Sequence, residues 1–130
     1  MALMQEIKIC IIDDDKTVCD SIKFLLEVYY DINIVTYYDP LLFLEECSSD
    51  WRGVLLIDLF MPSLTGINLM NKLKIKKCHM HVVIISGHAS SNTATRALES
   101  GAFAFISKPF EVEHLLEKIN TVLSAIQRDN

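Results

Sequence analysis

Asp13-Asp14-Asp15, Asp58, Ser86 and Lys108 all stand at the end of short apolar runs: Ile7 to Ile12, Val54 to Ile57, Val82 to Ile85 and Ala102 to Ile106. Brought together, such residues suit phosphoryl chemistry. Carboxylates crowded into one place repel each other and raise each other's pKa unless a cation sits between them. Magnesium fits that position, because it prefers oxygen ligands, keeps several waters, and takes one or two carboxylates plus phosphate. A carboxylate can attack phosphorus to form an acyl phosphate. A lysine and a hydroxyl would then neutralise charge on the transferring oxygens. Asp58 is the best nucleophile of the set, since it ends the run expected at the centre of the sheet and a turn follows, Met61-Pro62-Ser63-Leu64-Thr65-Gly66. Any one of these residues alone is more commonly a helix cap or a solvated charge. Their joint occurrence at strand ends is what makes a site.

The elements that must position them alternate along the chain. Ile7 to Ile12 reads as a strand, followed by Val18, Ile22, Leu25, Leu26 and Tyr29 at helical spacing. Ile32 to Tyr37 is strand-like, and Asp39-Pro40 opens a helix carrying Leu41, Leu42 and Leu44, with Asp39 as its N-cap. Gly53 to Ile57 is a strand; Thr65 to Ile75 is a helix bearing Ile67, Met70 and Leu73. Val82 to Ile85 precedes a helix from about Ser91 to Glu99, which Gly101 ends. Ala102 to Ile106 is the last strand, and Leu115, Leu116, Ile119, Val122, Leu123 and Ile126 mark a final helix. This strand–helix alternation implies an α/β fold with a parallel sheet covered on both faces. Right-handed crossovers lead to a doubly wound, flavodoxin-like, five-stranded sheet, with order 2-1-3-4-5 adopted by analogy. In such a sheet ligands bind beyond the carboxyl ends of the strands, near the point where strand order reverses.

Composition bounds the partners. The chain has 130 residues, enough for one core, so residues 1–130 are expected to form a single domain with its core at 6–127. Apolar residues make up 51% and charged residues 22%, a globular balance that argues against disorder. The net charge of −5 argues against nucleic-acid contact by this domain. Apolar runs are too short for a membrane span, and no secretory signal is visible. Cys10, Cys19, Cys47 and Cys78 lack metal-type spacing, and a disulfide framework is not expected; together these point to a reducing cytoplasm. His79, His81, His88 and His114 are not spaced as a metal site either. Trp51 and the Tyr29-Tyr30 and Tyr37-Tyr38 pairs read as packing residues.

The segments Ile9-Cys10-Ile11-Ile12-Asp13-Asp14-Asp15, Leu55-Leu56-Ile57-Asp58-Leu59-Phe60-Met61-Pro62, Val83-Ile84-Ile85-Ser86-Gly87-His88 and Gly101-Ala102-Phe103-Ala104-Phe105-Ile106-Ser107-Lys108-Pro109-Phe110 resemble the receiver domain of two-component response regulators. The resemblance covers essentially the whole chain and is closest to receivers of the nitrogen-fixation and nitrate-response type. It implies that Asp58 accepts a phosphoryl group from a sensor histidine kinase or phosphotransfer protein. Asp13 and Asp14, with Asp58 and the backbone carbonyl of Phe60, would hold Mg2+. Lys108 would pair with the phosphoryl group. Ser86, where threonine is commoner, would be the switch hydroxyl. Phe105, often tyrosine in the family, would be the switch aromatic, acting sterically. Phe60 and His88 would flank the approach of hydrolytic water. Homodimer formation on phosphorylation is a further expectation. Such receivers usually precede a DNA-binding helix-turn-helix domain, which these residues do not include.

Two alternatives use the same chain differently. Asp13-Asp14-Asp15-Lys16-Thr17 also satisfies the Asp-x-Asp-x-Thr pattern of haloacid-dehalogenase-like phosphatases, with Asp13 as nucleophile and Asp15 as acid/base. That reading leaves the segment from Asp58 to Gly66 without a role, and the later acids, Glu111, Glu113 and Glu117, lie on a helix. The other is a receiver-like binding module that is never phosphorylated, which the full set of site residues disfavours.

Overall fold

The computed structural model describes residues 7–87 and 90–128. Five strands, β1 (Ile7–Ile12), β2 (Asn33–Tyr37), β3 (Arg52–Asp58), β4 (His81–Ser86) and β5 (Ala104–Ser107), form one parallel sheet in the order β2-β1-β3-β4-β5. Five helices connect and follow them: α1 (Lys16–Tyr29), α2 (Pro40–Glu46), α3 (Gly66–Ile75), α4 (Ser91–Glu99) and α5 (Val112–Arg128). The doubly wound sheet expected from the alternation is present, with the reversal of strand order between β1 and β3.

Side chains alternate across each strand, and that period of two divides the core in half. Ile9, Ile11, Val54, Leu56, Val83 and Ile85 face α1 and α5, where Cys19, Ile22, Leu26, Leu115, Ile119 and Val122 meet them. Cys10, Ile12, Leu55, Ile57, Val82 and Ile84 face α2, α3 and α4, meeting Phe43, Leu69, Leu73 and Ala97. Strands with both faces covered must be apolar throughout, which is why β1, β3 and β4 lack polar alternation.

Local details depart from the sequence reading where a helix is short or a cap intervenes. Tyr29 ends α1 and is exposed, so the inward stripe of that helix is Cys19, Ile22 and Leu26. In the seven-residue α2, the buried positions are Pro40 and Phe43, spaced by three, and this turns Leu41 and Leu42 outward. The chain reaches β5 two residues late, because Ala102 donates its N–H back to Ala97 O (3.1 Å) and Gly101 to Leu98 O (3.1 Å), closing the end of α4. Gly101, at φ 111°, permits that closure. Gly53 belongs to β3 itself: at φ 132°, a Cβ there would lie 1.9 Å from the carbonyl oxygen of Lys8 on β1. Only glycine lets these two central strands pair at that point.

Candidate functional site

All the elements that carry the expected site residues deliver them to the carboxyl edge of the sheet. Asp58 is the last residue of β3. Asp13 and Asp14 directly follow β1, Ser86 ends β4, and Lys108 follows β5. The edge is folded over by the loop after β3, where Gly66 at the start of α3 donates its N–H to Leu59 O at 2.8 Å. A Cβ on Gly66 would approach Asp58 O and Leu59 Cα at 3.1 Å, so the small residue lets α3 begin this close to the end of β3.

Each acid is held differently. Asp13 is 4% exposed. Its Oδ1 accepts the Asp15 N–H at 2.9 Å, and its Oδ2 lies 3.5 Å from Lys108 Nζ. Its own N–H is fixed by Tyr37 O at 3.1 Å, and its carbonyl accepts from the Cys19 thiol at 3.2 Å. Asp14 is exposed, and Asp58 is half-buried. The three residues each offer a carboxylate oxygen within 4.8 Å of the others. Asp15, next in the chain, caps α1 by accepting from the Thr17 and Val18 N–H groups. Its carboxylate is thereby occupied, and the phosphatase alternative that needs it as acid/base is not favoured.

Electrostatics make the trio a poor resting arrangement by itself. Burial pushes the Asp58 carboxyl above its ordinary range; the Asp13 charge pushes the same way, while Lys108 and the Phe60 N–H oppose it. Burial also raises Asp13, against the Asp15 N–H and Lys108. Three carboxylates facing one ammonium leave two negative charges unbalanced. A hard divalent cation with oxygen preference matches both that charge and that donor set. The residues present therefore fit a magnesium-type ion.

The remaining predicted residues surround this trio. Ser86 is fully buried, and its carbonyl accepts the Lys108 N–H at 2.8 Å, tying the ends of β4 and β5 together. The peptide bond from Lys108 to Pro109 is cis. Phe60 is 47% exposed at the mouth of the site. Phe105 is half-buried, paired in register with Ile84 and packed on the α4 side of the sheet. His88 lies outside the described residues. Four contacts were not foreseen: the Lys108–Asp13 ion pair, the Asp15 N–H on Asp13, the Cys19 thiol on the Asp13 carbonyl and the Phe60 N–H on Asp58. The Asp13-x-Asp15 turn alone had a local signal, because aspartate commonly binds a backbone N–H two residues on.

Comparison with known proteins gives the same picture. The family model of the response regulator receiver domain matches residues 9–120. The transcriptional regulatory protein FixJ of Bradyrhizobium diazoefficiens is 31% identical over 88% of this chain, and the match covers 56% of that protein. The chain thus spans about half the length of the curated relatives it matches. The crystal structure of FixJ-N superposes with a TM-score of 0.81 at 32% identity, covering 92% of this chain and 94% of the other. The beryllofluoride-activated NtrC4 receiver domain dimer gives 0.82 at 26% identity, covering 91% and 97%. With a match across most of its length and the full sheet order of the fold, the chain belongs to the response regulator receiver domain family of two-component systems.

Proposed function

We propose that Asp58 is the phosphoacceptor and that Mg2+ is held by Asp13, Asp14, Asp58 and the backbone carbonyl of Phe60. The observation that carries this reading is the convergence of three carboxylates within 4.8 Å beside Lys108 at the carboxyl edge of the sheet. In the transfer, an Asp58 oxygen attacks the phosphorus of a phosphohistidine; the P–O bond forms, the P–N bond breaks, and imidazole leaves with the electron pair. The magnesium ion, when bound, offsets charge on the acceptor and on the phosphoryl oxygens. Lys108 starts on Asp13 and moves its ammonium to a phosphoryl oxygen once Asp58 is modified. Ser86, buried at the end of the neighbouring strand, donates its hydroxyl to the same group. The shift of Ser86 and Lys108 vacates space that Phe105 fills, a population shift driven by contacts made only in the phosphorylated state.

The domain catalyses only its own phosphorylation and dephosphorylation. It acts in the cytoplasm on signals from a sensor histidine kinase or phosphotransfer protein. Its switch, through dimer formation or a linked output, regulates transcription; the transcription regulators among its relatives support that role. Residues 1–130 act as one unit, with no nucleic-acid contact of their own. Among the described residues, no helix is long and apolar enough to cross a membrane. The test is incubation with acetyl phosphate or a phosphorylated kinase. Wild type gains hydroxylamine-labile phosphate only when magnesium is present, and Asp58→Asn gains none. Equal labelling of Asp58→Asn overturns the assignment.

A further inference from the structure

Far from this edge, two of the four cysteines meet. Cys47 is the C-cap of α2, buried, and Cys78 lies in the turn between α3 and β4. The turn is built to bring Cys78 there. Lys77 takes φ 59°, a left-handed conformation uncommon outside glycine. Around it, Lys77 N–H bonds Lys74 O at 3.0 Å and Cys78 N–H bonds Leu73 O at 2.9 Å, the paired closure of a Schellman motif. From the same turn, Lys76 Nζ reaches the carbonyls at the end of α2, those of Leu44 and Cys47, the latter at 3.0 Å. The ends of α2 and α3 are thus tied together, and Cys47 and Cys78 pack in the same apolar cluster, close enough for their thiols to interact.

The two sulfurs are not equivalent. The neighbouring Cys47 thiol, the Met80 N–H and the positive charge of Arg52 and Lys76 bring the Cys78 thiol down to about 7, whereas the Cys78 contact and burial push Cys47 up against the charge of Lys76. Cys78 also lines a small cavity with Met70, Leu73 and Lys74, an approach for a small reagent, whereas Cys10 and Cys19 are fully buried. We propose that Cys78 and Cys47 form a peroxide-sensitive pair that closes to a disulfide bridging the end of α2 to the α3–β4 turn. This site stands apart from the phosphoacceptor, at the opposite end of the sheet.

The chemistry balances with hydrogen peroxide as the oxidant. Cys78 thiolate attacks one peroxide oxygen; an S–O bond forms, the O–O bond breaks, and the departing hydroxide takes the Cys47 proton as water. The Cys47 thiolate then attacks the Cys78 sulfur; the S–S bond forms, the S–O bond breaks, and hydroxide leaves to become a second water. Two thiols lose two hydrogens and two electrons to one peroxide. The absence of metal spacing among the cysteines is consistent with this use, since a reversible pair needs only one close neighbour.

The experiment treats the reduced full chain with equimolar hydrogen peroxide and then blocks free thiols with N-ethylmaleimide in denaturant. Peptides are mapped without reduction. The expected result is one Cys47–Cys78 linked peptide within a monomer, with Cys10 and Cys19 recovered as maleimide adducts. Four adducts, a link through Cys10, or a link between chains overturns the proposal. In Cys47→Ser, Cys78 should stop at sulfenic acid and be captured by dimedone; no capture there overturns its role as the attacking sulfur. In native wild type, Cys78 should react with the maleimide at least about tenfold faster than Cys47, and a reversed order also overturns it.

Discussion

Asp58 sits where its charge is least welcome, half-buried and facing Asp13, and that discomfort has a measurable sign. A carboxyl whose folded pKa is raised contributes stability that is fully present below its ordinary value near 3.8 and is lost as pH rises through the raised value. In chelator, the melting temperature should therefore fall as pH climbs from that ordinary value through the raised one. Asp58→Asn should weaken the fall and melt a few degrees higher at neutral pH. A melting curve unchanged by Asp58→Asn would contradict the reading of the acid cluster as strained. Beside the same carboxylate, Phe60 is bulky, half-exposed and unable to orient water. Hydrolysis of the acyl phosphate needs a water in line with the phosphorus and held by a polar group. Phe60→Asn should supply that group and speed loss of phosphate about tenfold, or about 1.4 kcal/mol of barrier. Decay of the phosphorylated protein in excess magnesium, after donor removal, measures it; an equal or slower rate rejects the shielding role. Asp58 was legible in the sequence because it ends an apolar run, and Phe60 through the receiver resemblance of the segment that follows. Their partners were not: the Lys108–Asp13 pair joins residues whose side chains meet only after β1 and β5 are laid across the sheet.

At the scale of elements, the proposed mechanism makes the ends of β4 and β5 the coupling device. Ser86 pairs with Ser107 in the sheet ladder, its carbonyl holds Lys108, and Phe105 lies on the adjacent strand β5, opposite Ile84 two residues before Ser86. Ser86→Ala keeps that backbone frame and removes only the hydroxyl. It should still be phosphorylated but should lose most of the phosphorylation-dependent change, read by amide exchange along β5 and α4. A full wild-type change in Ser86→Ala would show that the hydroxyl does not couple the site to the helices. The element pattern itself was readable from apolar runs of strand length alternating with helical periodicity. What periodicity could not resolve was which residues of short α2 turn inward, since seven residues give too few repeats, and where β5 begins, since the cap of α4 consumes Gly101 and Ala102. Lys77 at positive φ left no trace in the sequence, because the usual glycine or asparagine signal is absent.

Across the whole molecule, the two ends of the sheet are chemically separate. Trp51 precedes β3 and packs on Phe43, with Lys8 Nζ 3.9 Å from its ring centroid; Asp58 closes β3 at the other end. A strand of that length separates them by about 20 Å, so Trp51 is no reporter of the acid cluster. Magnesium should leave its emission unchanged while raising the melting temperature by preferential binding to the folded state. Asp13→Asn combined with Asp14→Asn should abolish that rise. A magnesium-dependent rise that survives the double substitution would remove these acids from the metal site.

The central claim is that this arrangement exists to carry a phosphoryl group on Asp58. Its most direct measurement is reduction of the magnesium-dependent phosphorylated protein with borohydride, which converts an aspartyl phosphate to homoserine, followed by peptide mass spectrometry. The expected product has homoserine at position 58, and Asp13, Asp14 and Asp15 remain aspartate. Homoserine at position 13, or phosphate retained on a hydroxyl or imidazole, would contradict the account.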